Sequence, residues 1–263
     1  MSERSAPESL PVWFDTPVPG PVNMGADEWL AAEALRHGGP VIRVARWSEP
    51  TLSLGAFQVR RAVPDALRGL ALVRRPSGGG AIVHGTDLTV AIAVPRSHPW
   101  GESVQRLYDE VHGALVAVLR GHAIAARLHR DAPVSASGAE EPYLCFDRRS
   151  PGDVVVPTPA GTAKILGSAQ RRLRAAVVQH GSLLWGANMA VAAPARHAGV
   201  ADVARAAGVA LASDDILDTW LAGIAAAAGL RLEMQSGCTW DQAGPVITEL
   251  AGRFRDPAWT ERR

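Results

Sequence analysis

Through the middle of the chain short apolar runs of strand length recur between turn residues, and toward both ends apolar positions recur with the period of helices. Short β-like runs fall at Val41–Ala45, Thr51–Leu54, 70–74, 81–84 and 88–94, punctuated by Pro, Gly and Asp. Further short strands are predicted at 143–146, 153–156, 162–166, 175–179 and 182–185. Residues 23–37 carry Met24, Trp29, Leu30, Ala34 and Leu35 at helical spacing and stop at Gly38-Gly39-Pro40, which predicts a first helix. A second, strongly amphipathic helix is predicted over 102–120, where Val104, Leu107, Tyr108, Val111, Leu115, Val118 and Leu119 form one stripe. In the tail, Ser213 reads as the cap of a helix over 214–229 and 242–254 reads as another, with a short strand at 230–233 between them.

Strands concentrated in the middle and helices on the flanks predict an α+β fold rather than alternating βαβ units. The expected arrangement is one domain over 1–263 with a mixed or antiparallel central sheet flanked by helices. Residues 1–20 read as an extended, Pro-rich lead, 131–141 as a loop, and the helical part from about 189 onward as packed on the same domain.

Composition narrows the function. The 263 residues are 47 % hydrophobic, enough for a large core, and no apolar run reaches the roughly 20 residues of a membrane helix. The N-terminus lacks the layout of an export signal, so the cytoplasm is the expected address and no membrane partner is expected. A formal charge of +1 leaves no basic excess for nucleic acid. Cys145 and Cys238 make no disulfide framework, and no metal-ligand set is assigned. Of the 27 basic residues all but Lys164 are Arg. Lysine differs from arginine in its compact amine and flexible stem, so a lone lysine in a Gly-rich segment is a candidate for chemistry.

Three motifs stand out. Arg74-Arg75-Pro76-Ser77-Gly78-Gly79-Gly80-Ala81-Ile82-Val83-His84 sets three glycines between strand-like runs. Such glycines let backbone approach a ligand, and the flanking arginines can meet an anionic group; the plain alternative is a tight turn, and the Lys-Ser/Thr ending of a phosphate-binding loop is missing. The second motif, Lys164-Ile165-Leu166-Gly167-Ser168-Ala169 followed by His180-Gly181-Ser182, puts small residues beside a lysine, as a narrow channel for a slim ligand requires, or simply makes a hairpin. The third is Leu144-Cys145-Phe146-Asp147. A free cysteine is more often structural, but one beside an ammonium is a nucleophile for thioesters.

Together these motifs resemble the biotin and lipoate protein ligase superfamily, which includes the octanoyltransferases. The resemblance rests on the stretch Arg74 to His84, on Lys164 to Ala169, on His180-Gly181-Ser182-Leu183-Leu184, and on Asn23 to Asp27, Arg46 to Gly55 and Asp256 to Trp259. Cys145-Phe146 ahead of the lysine motif is similar to octanoyltransferases that draw on acyl carrier protein. The Arg- and Pro-rich segment 147–161 departs from the pattern.

The resemblance implies a biotin/lipoate-ligase-like fold and a two-step transfer. Cys145 takes an octanoyl group from acyl carrier protein, and a lysine of a lipoyl domain, that of the glycine cleavage H protein or a 2-oxoacid dehydrogenase E2, receives it. Lys164 would hold the carbonyl. Arg75, Ser77, Gly78, Gly79, Gly80, His84, Gly167, Ser168, Ala169, His180 and Gly181 would form the substrate-binding walls. No cofactor is required on this reading. An ATP-dependent lipoate ligase, needing ATP and magnesium, and a non-catalytic binder of lipoyl domains are the alternatives.

Overall fold

The computed structural model describes residues 7–131, 142–159, 161–189, 191 and 196–262, so the loop read at 131–141 lies almost wholly outside the described residues. The chain opens with β1 (Ser9–Phe14), α1 (Gly20–His37), β2 (Val41–Ala45), β3 (Thr51–Leu54), β4 (Ala71–Arg74), β5 (Ile82–His84) and β6 (Asp87–Pro95). Then come α2 (Val104–Gly121), β7 (Arg127–Leu128), β8 (Val154–Thr158), β9 (Gly161–Arg172) and β10 (Ala176–Leu184). The last part holds α3 (Val200–Ala206), α4 (Ser213–Ala228), β11 (Arg231–Met234), α5 (Thr239–Arg255) and α6 (Pro257–Thr260).

The main sheet has eight strands in the order β11-β1-β2-β6-β10-β9-β8-β7, and a small sheet has the order β4-β3-β5. Pairs β1/β11 and β1/β2 are parallel, while β2/β6, β6/β10, β10/β9, β9/β8 and β8/β7 are antiparallel, which is the mixed α+β sheet expected. Strand β6 shows why helices lie on both faces. Leu88, Val90, Ile92 and Val94 pack into one core with residues of α2 and α4, whereas Ala91 and Ala93 point to the other face and pack with residues of α1. Small side chains there let α1 approach the sheet closely. Gly25 extends the same logic to the next layer: a Cβ on it would lie 2.8 Å from the Ile247 carbonyl oxygen of α5.

Several expectations are corrected. The Pro-rich lead contains strand β1, because the apolar run Leu10 to Trp13 is buried between β2 and β11. The strand predicted at 143–146 is a single bridge, Ala81 to Leu144, followed by a 3₁₀ turn over Cys145–Asp147. The runs at 175–179 and 182–185 are one strand, β10, since Gly181 continues the ladder against both β6 and β9. Ser213 is the first residue of α4 rather than its cap; Asp214 and Asp215 supply negative charge to that helix start.

Candidate active site

The Gly-rich stretch runs between β4 and β5, and its last glycine meets the cysteine segment. Cys145 N–H donates to the Ala81 carbonyl at 2.8 Å, and Ala81 N–H donates to the Tyr143 carbonyl at 2.9 Å. A Cβ on Gly80 would lie 2.8 Å from Cys145 N and 3.0 Å from its Cα. Glycine at 80 is therefore a condition of seating Cys145 there. Gly79, at φ +93, adopts a conformation that side chains resist.

Lys164 arrives from β9, across a register shift where Val154 pairs with Leu166 and Val155 with Lys164. Its Nζ stands 3.5 Å from Cys145 Sγ, 3.4 Å from the Cys145 carbonyl oxygen and 2.9 Å from Asp153 Oδ2. The side chains of Lys164 and Asp153 are each 3 % exposed, so this is a buried ion pair with a thiol at its edge. Gly167 makes room for it: a Cβ there would lie 2.2 Å from Lys164 Cε and 2.6 Å from Nζ. That clash gives the Lys-x-x-Gly spacing its physical meaning.

Arg75 is the second cation of the neighbourhood. It is fully buried and donates to the carbonyls of Ser53 (2.9 Å), Gly78 (2.8 Å) and Gly80 (2.7 Å), which ties the glycine loop down. Burial pushes its guanidinium down to about 10, against the opposing pull of Cys145, so it stays charged at neutral pH. Arg74 likewise donates to the backbone carbonyls of Gly55, Gln58 and Thr260. The arginines read from sequence as anion binders thus shape the loop, and Arg75 in addition lines the cleft behind it.

That cleft is bounded by Arg75, His84, His180, Gly181, Trp47 and Ser53 among others. The β9/β10 register brings its walls together, pairing His180 with Ala169, Gly181 with Ser168 and Ser182 with Gly167. His180 Nδ1 donates to Asp27 Oδ2 at 3.0 Å, and its Nε2 meets Ser77 Oγ at 2.5 Å. Asp27 also accepts from the buried Arg43 at 2.8 Å, which joins α1, β2 and the loop in one polar run. His84 lies flat on Trp47, ring centroids 3.8 Å apart, with Nδ1 2.7 Å from Asp87 Oδ2. Burial raises the Asp87 carboxyl, but His84 and the hydrogen bonds from His84, Ser182 and Gly85 outweigh it and hold the group below its ordinary value. A second cleft, lined by Ala81, Val83, Leu144, Phe146 and Leu184, flanks the cysteine turn.

The structure therefore brings Cys145, Lys164, Gly80 and Gly167 into direct contact, and sets Arg75, His84, His180 and Gly181 around the adjoining cleft. Ser77 lies behind His180, and Ser168 faces α2, its Oγ 2.6 Å from His112 Nε2. Sequence reasoning missed Asp153, Asp27, Trp47 and His112. Asp27 and Trp47 lie inside stretches already singled out; Asp153 sits in the atypical segment 147–161, and His112 is hidden in an amphipathic helix.

Residues 19–210 match the lipoyl protein ligase A/B catalytic domain. The chain is 35 % identical over 170 residues to octanoyltransferase LipM of Kyrpidia tusciae and 36 % identical over 179 residues to that of Lysinibacillus sphaericus. Each match takes in 62 % of this chain and 61 % or 60 % of the relative, so the chain spans about three fifths of the length of these relatives. Among solved structures, lipoate-protein ligase A bound with ATP superposes at TM-score 0.73 with 19 % identity, over 97 % of this chain and 98 % of the other. A structure from an archaeal lipoylation system, described as a bi-partite lipoate protein ligase and its E2 lipoyl domain from Thermoplasma acidophilum, gives 0.68 at 20 %, over 97 % and 96 %. These structural likenesses concern the fold.

Proposed function

From the premise that the chain belongs to the lipoyl protein ligase A/B catalytic domain family, we propose that it transfers an octanoyl group from acyl carrier protein to the lysine of a lipoyl domain, by way of a thioester on Cys145. The observation that carries the reading is the Lys164 ammonium 3.5 Å from Cys145 Sγ, beside the glycine loop. Octanoyltransferases among the relatives support the acyl group. An E2 lipoyl domain accompanying one structural neighbour supports the class of acceptor. The reaction belongs to the cytoplasm on this reading, where the thiol stays reduced.

In the first half, Cys145 sulfur attacks the donor's carbonyl carbon. The new C–S bond forms as the old one breaks, and the carrier's thiol leaves with the proton that Cys145 gave up. Negative charge on the carbonyl oxygen falls beside Lys164, which acts as a fixed donor in a site with little water. In the second half, the acceptor amine attacks the Cys145 thioester. An amide C–N bond forms, the C–S bond breaks, and a proton from the amine returns to the Cys145 sulfur. One thioester is exchanged for another before the amide forms, so neither ATP nor a metal is needed. Burying about seven methylenes at roughly 0.8 kcal/mol each contributes up to about 5 kcal/mol to holding the chain in the adjoining cleft.

Intact-protein mass after mixing with octanoyl-acyl carrier protein tests this. We expect an added octanoyl mass that is lost in Cys145→Ala, persists in Cys238→Ala and moves to a lipoyl domain on its addition. Modification of a lipoyl domain from free octanoate and ATP by Cys145→Ser would replace this reading with a ligase. Binding of lipoyl domains without any acyl-enzyme would replace it with a non-catalytic role.

A further inference from the structure

The mechanism above leaves unused a fully buried titratable side chain next to the site, His112 on α2. Its Nδ1 lies 2.6 Å from the Gly152 carbonyl oxygen and its Nε2 2.6 Å from Ser168 Oγ. A carbonyl oxygen only accepts, so Nδ1 carries the hydrogen. Burial depresses the imidazole to about 4, against the raising pulls of the Gly152 carbonyl and Asp153, so the ring is neutral at pH 7 and Nε2 accepts from the Ser168 hydroxyl. One turn earlier on the same helix face, the Tyr108 hydroxyl donates to the Ser168 carbonyl at 2.7 Å. Tyr108 also packs on Gly152, which sits at φ +96; a Cβ there would lie 3.2 Å from the Tyr108 Cβ.

One face of α2 therefore grips two backbone segments at once. The first is the turn ahead of β8, where Gly152 is followed directly by Asp153. The second is β9, where Ser168 lies four residues beyond Lys164. Asp153 is the counter-ion 2.9 Å from Lys164 Nζ, and Ser150 N–H holds the same carboxylate oxygen at 2.8 Å.

We propose that His112 is a positioning residue for the reaction: by holding the Gly152 carbonyl it fixes Asp153, and through Asp153 it aims the Lys164 ammonium at Cys145 without touching the reacting atoms. The proposal rests on the reading of Cys145 and Lys164 as the reacting pair. A core histidine that merely satisfies two polar groups would have the same distances, so the test must separate its two hydrogen bonds.

His112→Asn places an amide donor near Nδ1 and retains the Gly152 bond; His112→Gln reaches toward Nε2 and retains the Ser168 bond. Both are made in a Cys238→Ser background, leaving one thiol. Two readouts are taken: alkylation of Cys145 by iodoacetamide, which proceeds through the thiolate that an adjacent ammonium stabilises, and single-turnover acylation by octanoyl-acyl carrier protein. Expected is an Asn variant within about threefold of the parent in both. The Gln variant should be slower by roughly tenfold or more in both, with the donor concentration at half-saturation unchanged. In an Asp153→Asn background the Asn and Gln variants should become indistinguishable, because the path through Asp153 has been cut.

Equal slowing of the Asn and Gln variants, tracking a common loss of melting temperature, would overturn the proposal, as would parent-like rates in both. If either variant fails to fold, Tyr108→Phe decides: it removes the bond to the Ser168 carbonyl and keeps the packing on Gly152, so it should stay parent-like, and a tenfold loss there would overturn the proposal by assigning the effect to the hold on β9. Alkylation needs no acyl donor. A split between Asn and Gln in alkylation with no acylation of the parent supports His112 and removes the octanoyl-transfer reading, whereas acylation without the split does the reverse.

Discussion

Replacing Gly167 by Ala perturbs the site by one methyl group at a calculable place. The new carbon would start 2.2 Å from Lys164 Cε and 2.6 Å from Nζ, where carbon atoms pack at about 3.5–4.0 Å. Lys164 must therefore withdraw by more than about 1 Å, because the backbone of β9 is held by ladders on both sides while the lysine stem can change rotamer around its ion pair with Asp153. Its contacts to Cys145, already at 3.4 and 3.5 Å, cannot survive such a shift, whereas the ammonium can still follow the Asp153 carboxylate. The consequence is a loss of rate with little loss of fold. Removing a fixed donor to a developing oxyanion costs about 2.7–4 kcal/mol, or roughly a hundredfold to a thousandfold in acylation. Single-turnover acylation at saturating octanoyl-acyl carrier protein, followed by intact mass, reads the rate, and thermal unfolding reads the fold. The same substitution in a Lys164→Ala background should add nothing, since there is no longer a lysine to displace. A Gly167→Ala enzyme within a few-fold of the parent, or a loss in the double variant that multiplies that of Lys164→Ala, would refute the reasoning.

Lys164→Arg tests whether position 164 needs more than charge. A planar guanidinium does not fit the space that Gly167 leaves around a compact amine, so acylation should fall by roughly a hundredfold to a thousandfold; a rate near the parent's would show that any cation serves. His112 also predicts a pH dependence of stability. It titrates near 6.5 in the unfolded chain and about 4 when folded, so between those values the unfolded state takes up a proton that the native state refuses. Stability from this group is complete above about pH 6.5 and is lost as pH falls toward 4, by about 2–3 kcal/mol at pH 4.5. Urea unfolding at pH 7 and 4.5 should show that loss in the parent and not in His112→Gln; equal losses in the two would contradict it.

Much of the architecture was written in local patterns. Short apolar runs between turn residues marked β2, β3 and β6, and the apolar stripe of α2 marked that helix, because burial of an element in a core shows in its own residues. Lys164 was conspicuous by composition alone, and the glycines at 78–80 and 167 were visible as places where backbone or a side chain comes close. What local pattern could not supply was pairing. Strand β1 hid behind its prolines because its burial depends on β2 and on β11, more than two hundred residues later. The cysteine segment looked like a strand because its apolar residues are buried, yet only the neighbouring glycine loop turns it after Leu144. Asp153, Asp27 and His112 carry no signal of their own. Each is one polar residue among others in its stretch, and becomes part of the site only when another element brings Lys164, His180 or Gly152 within hydrogen-bonding reach. The sequence by itself determined which residue types were on hand for the chemistry. Only the tertiary structure decided which of them share a charge, because an ion pair or a hydrogen bond is a matter of a few ångströms between atoms that the chain keeps far apart.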